Sequence, residues 1–141
     1  MEEITFMLND QDVLASEITG LYGKVGWNSM NLRTTEKTAD MLQQTMFYAV
    51  ARVNGLLVGF GRILGDAYTG QILDIMTDPA YRGKGIATHI MCMLLEQAKG
   101  KFLGLYLIDG TGHPTFYKQF GFVQANPNTD RLMYWNPVER N

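Results

Sequence analysis

The chain has a single cysteine, Cys92, in 141 residues. One thiol closes no disulfide within the chain and builds no Cys-x-x-Cys metal site. Charge is sparse as well: charged residues make up 18% of the sequence, below the usual ~25%. Twelve Lys and Arg against 14 Asp and Glu leave a net charge of −2. That excludes a strongly basic nucleic-acid footprint, though not a local basic site. No apolar run reaches the roughly 18 residues that a membrane span needs. No Asn-x-Ser/Thr acceptor, internal repeat, low-complexity tract or Pro/Gly/Ser-rich linker occurs. The Met1-Glu2-Glu3 start is acidic, unlike the cationic head of a secretory leader.

What is present suits a packed core. Hydrophobic residues make up 46% of the chain, which argues against disorder. A chain of about 150 residues buries close to 70% of its unfolded surface without staples. The nine methionines supply adaptable apolar filling. The expectation is one domain over residues 1–141, located in the cytoplasm.

Ile4 to Leu8 reads as a first strand, with Asn9-Asp10 offering caps for a helix. Leu14, Ile18, Leu21, Tyr22 and Val25 then form one apolar helical stripe, ended by Gly26. Thr34-Thr35 caps a second helix to about Gln44, with Met41 and Leu42 as its buried contacts. Phe47 to Val53 and Leu56 to Leu64 form a hairpin on Asn54-Gly55, a pair suited to a two-residue turn. Gly59 and Gly61 inside the second strand point to a bulge or a close backbone approach. Gln71 to Thr77 is apolar except for Asp74, as in a strand buried on both faces. A Gly-rich turn and a long helix, about Gly85 to Lys99, follow. Phe102 to Ile108 reads as another buried strand, and Pro114 opens a helix to about Phe120 that Gly121 ends. Phe122 to Val123 and Arg131 to Trp135 read as closing strands. The order is β-α-α-β-β-β-α-β-α-β-β: a mixed α/β sheet with helices on both faces, the strand–helix–strand from Gln71 to Ile108 giving a parallel pair.

The chemistry concentrates in Arg82-Gly83-Lys84-Gly85, between a strand and a helix. A helix N-terminus offers unpaired N–H groups and a partial positive charge. Glycines let a phosphate approach the backbone, and Arg82 and Lys84 add cationic donors. The alternative is an ordinary tight turn. A P-loop fails because Gly85, not Ser or Thr, follows Lys84. A dinucleotide fingerprint fails because Thr88 stands where its last glycine belongs, and because the unit comes late in the element order.

The segment Asp78-Pro79-Ala80-Tyr81-Arg82-Gly83-Lys84-Gly85-Ile86-Ala87 resembles the acetyl-CoA signature of the GNAT N-acetyltransferases, Arg/Gln-x-x-Gly-x-Gly/Ala. Phe116-Tyr117-Lys118-Gln119-Phe120-Gly121-Phe122 resembles the Phe-Tyr-x-x-x-Gly-Phe ending of the same fold. The two motifs together are far more specific than either alone, and the element order agrees over nearly the whole chain. Leu57 to Arg62, Asp74 to Phe122 and Met133-Tyr134-Trp135 resemble small arylalkylamine-type enzymes, plant serotonin N-acetyltransferases among them.

The resemblance implies an α+β fold with a mostly antiparallel central sheet and one splayed parallel strand pair. It implies acetyl-CoA as co-substrate and no metal. Backbone groups of Ile75, Met76 and Thr77 would bind pantetheine in the gap, with an N–H there polarising the acetyl carbonyl. The pyrophosphate would meet the cradle of Arg82, Gly83, Lys84, Gly85, Ile86, Ala87 and Thr88. Tyr117 would be the general acid that protonates the leaving CoA thiolate, since a phenol keeps its proton at neutral pH. Left to itself, Tyr117 reads as a core tyrosine with a backbone partner.

Asp74 is a candidate base or relay for the acceptor ammonium, because burial would raise its pKa towards a useful value. The alternative is a carboxylate satisfied by a neighbouring Arg or a helix N-terminus. Asp109 and His113 could relay protons through water. Where the family often carries an Asn about seven residues before the Tyr, this chain has Gly110, so Asp109 or Thr111 would take over that pantetheine contact. Tyr22 and Trp27 are candidate walls of the acceptor pocket, with Tyr48 a third aromatic nearby. Packing within the core is the other reading of Tyr22 and Tyr48. His89 reads as a partly exposed helical residue and Cys92 as a small packed hydrophobe.

The expected function is acetyl transfer from acetyl-CoA to a small primary amine, aromatic amines included, by direct attack through a tetrahedral intermediate. Expected partners are that amine and no nucleic acid or membrane; a homodimer stays open. The rivals are a non-catalytic acyl-CoA-binding sensor, a protein N-acetyltransferase and a dinucleotide-binding module.

Overall fold

A computed structural model of the chain describes residues 2–110, 112–125 and 133. They fall into two compact units, Met1–Ile108 and Asp109–Asn141. The first holds β1 (Ile4–Leu8), α1 (Ala15–Lys24), α2 (Thr35–Gln44), β2 (Phe47–Val53), β3 (Leu56–Gly65), β4 (Thr69–Thr77), α3 (Ile86–Ala98) and β5 (Gly104–Leu107). The second holds α4 (Pro114–Lys118).

The sheet runs β1-β2-β3-β4-β5. Neighbours are antiparallel except β4 and β5, which run parallel. Sheet and helices thus have the mostly antiparallel arrangement with one parallel pair that was expected. The β4–β5 ladder runs only from Thr69 and Gly104 to Ile72 and Leu107. β4 continues to Thr77, so its second half extends past that ladder.

The two faces of the sheet carry different helices. Ile18, Leu21 and Tyr22 of α1 pack into one core with Val50, Leu57, Phe60 and Met76, and Met41 and Leu42 of α2 border it. On the other face α3 lies close against β3. A Cβ on Gly59 would stand 2.6 Å from Ile86 Cγ2, and one on Gly61 2.7 Å from Ile90 Cγ2. The two glycines therefore make the close approach that their place in the strand suggested.

Several expectations need correction. Asn9 and Asp10 do not cap α1. Asn9 Oδ1 accepts from the Tyr48 N–H at 2.9 Å and Asp10 Oδ1 from the Asp12 N–H at 2.9 Å. α1 starts after Leu14, whose N–H donates to Glu17 Oε1 at 2.9 Å. β4 is not buried on both faces: Gly70, Ile72 and Met76 are buried, and residues 71, 73, 74, 75 and 77 are half-buried. β5 is shorter than expected and wetter, with Tyr106 exposed. Cys92 is exposed rather than packed. Phe122 and Val123 form no strand, and most of the strand expected at 131–135 lies outside the described residues. Thr34 caps α2 as expected, accepting from the Lys37 N–H at 3.2 Å.

Candidate active site

β4 carries a bulge. Phe60 pairs with Met76 and Arg62 with Leu73, so Asp74 and Ile75 together oppose Gly61. Asp74 has a φ of 56°, a left-handed conformation that costs a residue with a Cβ about 1–2 kcal/mol, less for Asp than for most. Gly61 fits this geometry: a Cβ there would stand 2.6 Å from Ile75 Cδ1.

Asp74 is a lone charge within its strand but not in space. Arg62 Nε, on the facing strand, donates to Asp74 Oδ2 at 2.8 Å. The Tyr22 hydroxyl donates to the same oxygen at 2.7 Å. Burial, and then the nearby Asp74 carboxylate, push the Tyr22 phenol well above the ordinary tyrosine value. Arg33 lies over the Tyr22 ring, 4.5 Å from its centroid, and donates from Nη1 to the Trp27 carbonyl at 2.6 Å. Trp27 is half-buried at the edge of the same core. Tyr22 itself is buried within that core, and the Tyr48 hydroxyl donates to the Asp10 carbonyl at 2.7 Å.

Ile75, Met76 and Thr77 lie beyond the end of the β4–β5 ladder, at residues 75–77. The chain then turns at Asp78, which is 6% exposed. Asp78 Oδ1 accepts from the Ala80 N–H at 3.0 Å and caps a single 3-10 turn, Pro79–Tyr81. Asp78 Oδ2 accepts from Lys24 Nζ at 3.3 Å, and the Asp78 N–H donates to the Val58 carbonyl at 2.8 Å. Asp78 is thus a buried strut from α1 and β3 to the start of the turn.

Arg82, Gly83, Lys84 and Gly85 are all exposed. Gly83 and Gly85 have φ values of 78° and 79°, where glycine is at ease. Gly85 stands at the N-cap of α3 and offers no side chain to the first turn, which has no acidic residue either. The N–H groups of Ile86, Ala87 and Thr88 therefore lack an intrahelical acceptor, at the positive end of the helix dipole. This is a terminus suited to an anion, with Arg82 and Lys84 as further donors. Of the residues expected to form a phosphate cradle, Arg82, Gly83, Lys84 and Gly85 lie in the turn and Ile86, Ala87 and Thr88 open α3 directly behind it.

In the second unit, Asp109 precedes the loop to α4, and His113 stands at the N-cap of that helix. Tyr117 lies edge-on to Phe116 and Phe122, at ring separations of 5.0 and 6.4 Å. Burial, and then the Asp109 carboxylate, push the Tyr117 phenol above its ordinary value. Thr111 lies outside the described residues. In the first unit, His89 is exposed and stacks on Phe6, with ring centroids 3.7 Å apart.

A family model for the acetyltransferase (GNAT) domain matches residues 44–124. The chain belongs to the GNAT acetyltransferase family. A GNAT-family acetyltransferase from Streptococcus pneumoniae TIGR4 shares its fold, with a TM-score of 0.79 at 24% identity over 97% of this chain and 100% of that one. Among curated relatives, histone acetyltransferase TAP1 of Glycine max is 27% identical over 97% of this chain. GCN5-related N-acetyltransferase 2, chloroplastic, of Arabidopsis thaliana is 26% identical over 97% of it. The chain spans 63% and 60% of the lengths of these two relatives. None of the three is named for an arylalkylamine or for serotonin. Among the described residues no helix is long and apolar enough to cross a membrane, and no group of His, Cys, Asp and Glu could hold a metal.

Within this GNAT chain the neighbouring Arg that was one alternative for Asp74 is Arg62; Lys24 and Asp78 are the residues that sequence reasoning missed. Arg62 meets Asp74 only because the two strands pair, and the bulge shifts that pairing by one residue. The visible signal was an arginine and an aspartate on adjacent strands, each alone among apolar neighbours.

Proposed function

We propose that the chain is a single-domain, cytoplasmic N-acetyltransferase that transfers an acetyl group from acetyl-CoA to a small primary amine. GNAT acetyltransferases use acetyl-CoA. The family match at residues 44–124 runs across the boundary between the two compact units, which supports one domain. The observation that carries the reading is the uncapped start of α3 behind two left-handed glycines, at the end of a strand that outruns its parallel neighbour.

In this reading Arg82, Gly83, Lys84, Gly85, Ile86, Ala87 and Thr88 hold the pyrophosphate through backbone N–H groups and two cationic side chains. Ile75, Met76 and Thr77 hold the pantetheine arm by backbone hydrogen bonds, and Asp109 extends that contact. An N–H in β4 polarises the acetyl carbonyl. Asp74 takes the proton of the acceptor ammonium, directly or through water, on Oδ1, the oxygen that neither Tyr22 nor Arg62 engages. The free amine attacks the carbonyl carbon, the tetrahedral intermediate collapses, the C–S bond breaks, and the second proton of the acylated nitrogen is released to water, which restores the proton that Tyr117 gives up. Tyr117 gives its proton to the departing thiolate. Trp27 walls the acceptor pocket, and Tyr22 stands beside it in the same core.

An amine screen with acetyl-CoA and a free-thiol readout tests the reading. Thiol release that depends on a small primary amine is the expected result. A protein acceptor is the second reading, favoured by the histone acetyltransferase name of the Glycine max relative; a histone-tail peptide in the same assay separates the two. Tight acetyl-CoA binding with no release on any acceptor would leave an acyl-CoA sensor in its place.

A further inference from the structure

Asp74 adopts its left-handed conformation in the interior of β4, where the bulge sets two residues against Gly61. Such backbone persists where the surroundings over-determine it. Here two donors from two other elements converge on one carboxylate oxygen. Arg62 reaches it from β3 at 2.8 Å and Tyr22 from α1 at 2.7 Å. Tyr22 is 3% exposed, and its ring is faced by the Arg33 guanidinium. Its phenol is pushed upward by burial and by Asp74, so it is a fixed donor rather than a proton store. A bulge turns its strand and re-aims the groups that follow. The β5 ladder stops at Ile72, so β5 does not brace residues 73–77 on that side.

We infer that Tyr22 and Arg62 are positioning residues: by gripping Asp74 Oδ2 they pin the β4 bulge and so set the direction of the backbone N–H groups of Ile75, Met76 and Thr77. This rests on the acetyl-transfer reading for its catalytic consequence, but the pinning itself is a property of the chain alone. It gives Tyr22 a task other than lining the acceptor pocket.

Tyr22→Phe keeps the ring and its contact with Arg33 and removes only the donor. Amide hydrogen exchange at residues 73–77 should then quicken at least tenfold, with β1 and β2 unchanged. The kcat for acetyl transfer should fall at least tenfold, with little change in the KM for the amine. Arg62→Lys, which keeps the charge but not the fixed Nε–H, should give the same pattern more weakly. Tyr22 as a mere packing residue would instead quicken exchange evenly through the sheet and leave kcat alone. Tyr22 as a pocket wall would raise KM with unchanged exchange. Either outcome overturns the inference. An inactive wild-type chain whose residues 73–77 still loosen in Tyr22→Phe would defeat the acetyl-transfer reading and uphold the pinning.

Discussion

Tyr117 holds its proton more firmly than a free tyrosine, because burial and then the Asp109 carboxylate both disfavour the phenolate. A raised pKa keeps the donor form present to higher pH. Any decline in kcat caused by ionising this group should therefore begin above the usual tyrosine range, not within it. Tyr117→Phe preserves the edge contacts with Phe116 and Phe122 and deletes the proton. General-acid assistance is typically worth ~10²–10⁴-fold, about 3–5 kcal/mol of barrier. That loss belongs to kcat, since the thiolate exists only as the intermediate breaks down. Steady-state kinetics beside calorimetry check this: kcat should drop while the acetyl-CoA Kd holds. A near-wild-type kcat would return Tyr117 to packing, where its hydroxyl is worth about 1 kcal/mol of stability.

The proposed cradle lies at the start of α3, so its place follows from how α3 sits on the sheet, and that seat depends on Gly59. A Cβ at this position would stand 2.6 Å from Ile86 Cγ2 and 3.1 Å from Ile90 Cδ1. Ile86 is the first residue of α3 and is buried, so it has little room to yield. Overpacking of this kind costs about 1–3 kcal/mol. Gly59→Ala should lower Tm and also weaken acetyl-CoA binding, because the displaced turn is the one that carries the N–H groups. A lower Tm with unchanged affinity would mean that the seat of α3 does not set the cradle. The Thr34 cap, the Asn54-Gly55 hairpin and the glycine turn were legible in the sequence, since each acts on its own neighbours; Gly59 and Gly61 were legible as glycines inside a strand, although the helix they admit, α3, lies some thirty residues on. The start of α1 was not. Asn9 and Asp10 are good caps locally, but Asn9 is taken by the Tyr48 N–H, from a strand far along the chain. The bulge was legible only from the β3 side, through Gly61; which residues of β4 double up against it was not. Leu73-Asp74-Ile75 reads as plain strand, and only the pairing with β3 shows that two residues face one. Asp74 was visible as a candidate, but its two partners come from α1 and β3 and needed the fold.

Across the whole molecule, ligand binding and stability are one equilibrium. The chain carries a net charge of −2, so an anionic co-substrate would gain nothing from the overall field and would depend on the proposed local cradle. A ligand that binds only the folded chain adds about 2.7 kcal/mol at a hundredfold excess over its Kd. For a chain of this size each kcal/mol shifts Tm by about 2–4 °C. Saturating acetyl-CoA should therefore raise Tm by roughly 5–10 °C, CoA should do the same through the shared pyrophosphate, and NAD should do little. Gly85→Asp is the internal control. Its Cβ would meet nothing within 4 Å, and Asp tolerates left-handed backbone better than most residues. The unliganded variant should melt a few degrees below the wild type, because a Cβ at a φ of 79° is strained even in open space. Its carboxylate, however, would occupy the start of α3 and repel the phosphates that the free N–H groups would otherwise receive. The variant's response to acetyl-CoA should vanish while its unliganded melt stays cooperative, a few degrees below the wild type. A full thermal shift in Gly85→Asp would place the pyrophosphate elsewhere, and a wild-type chain stabilised by NAD as strongly as by CoA would make the turn a general phosphate site rather than one matched to CoA.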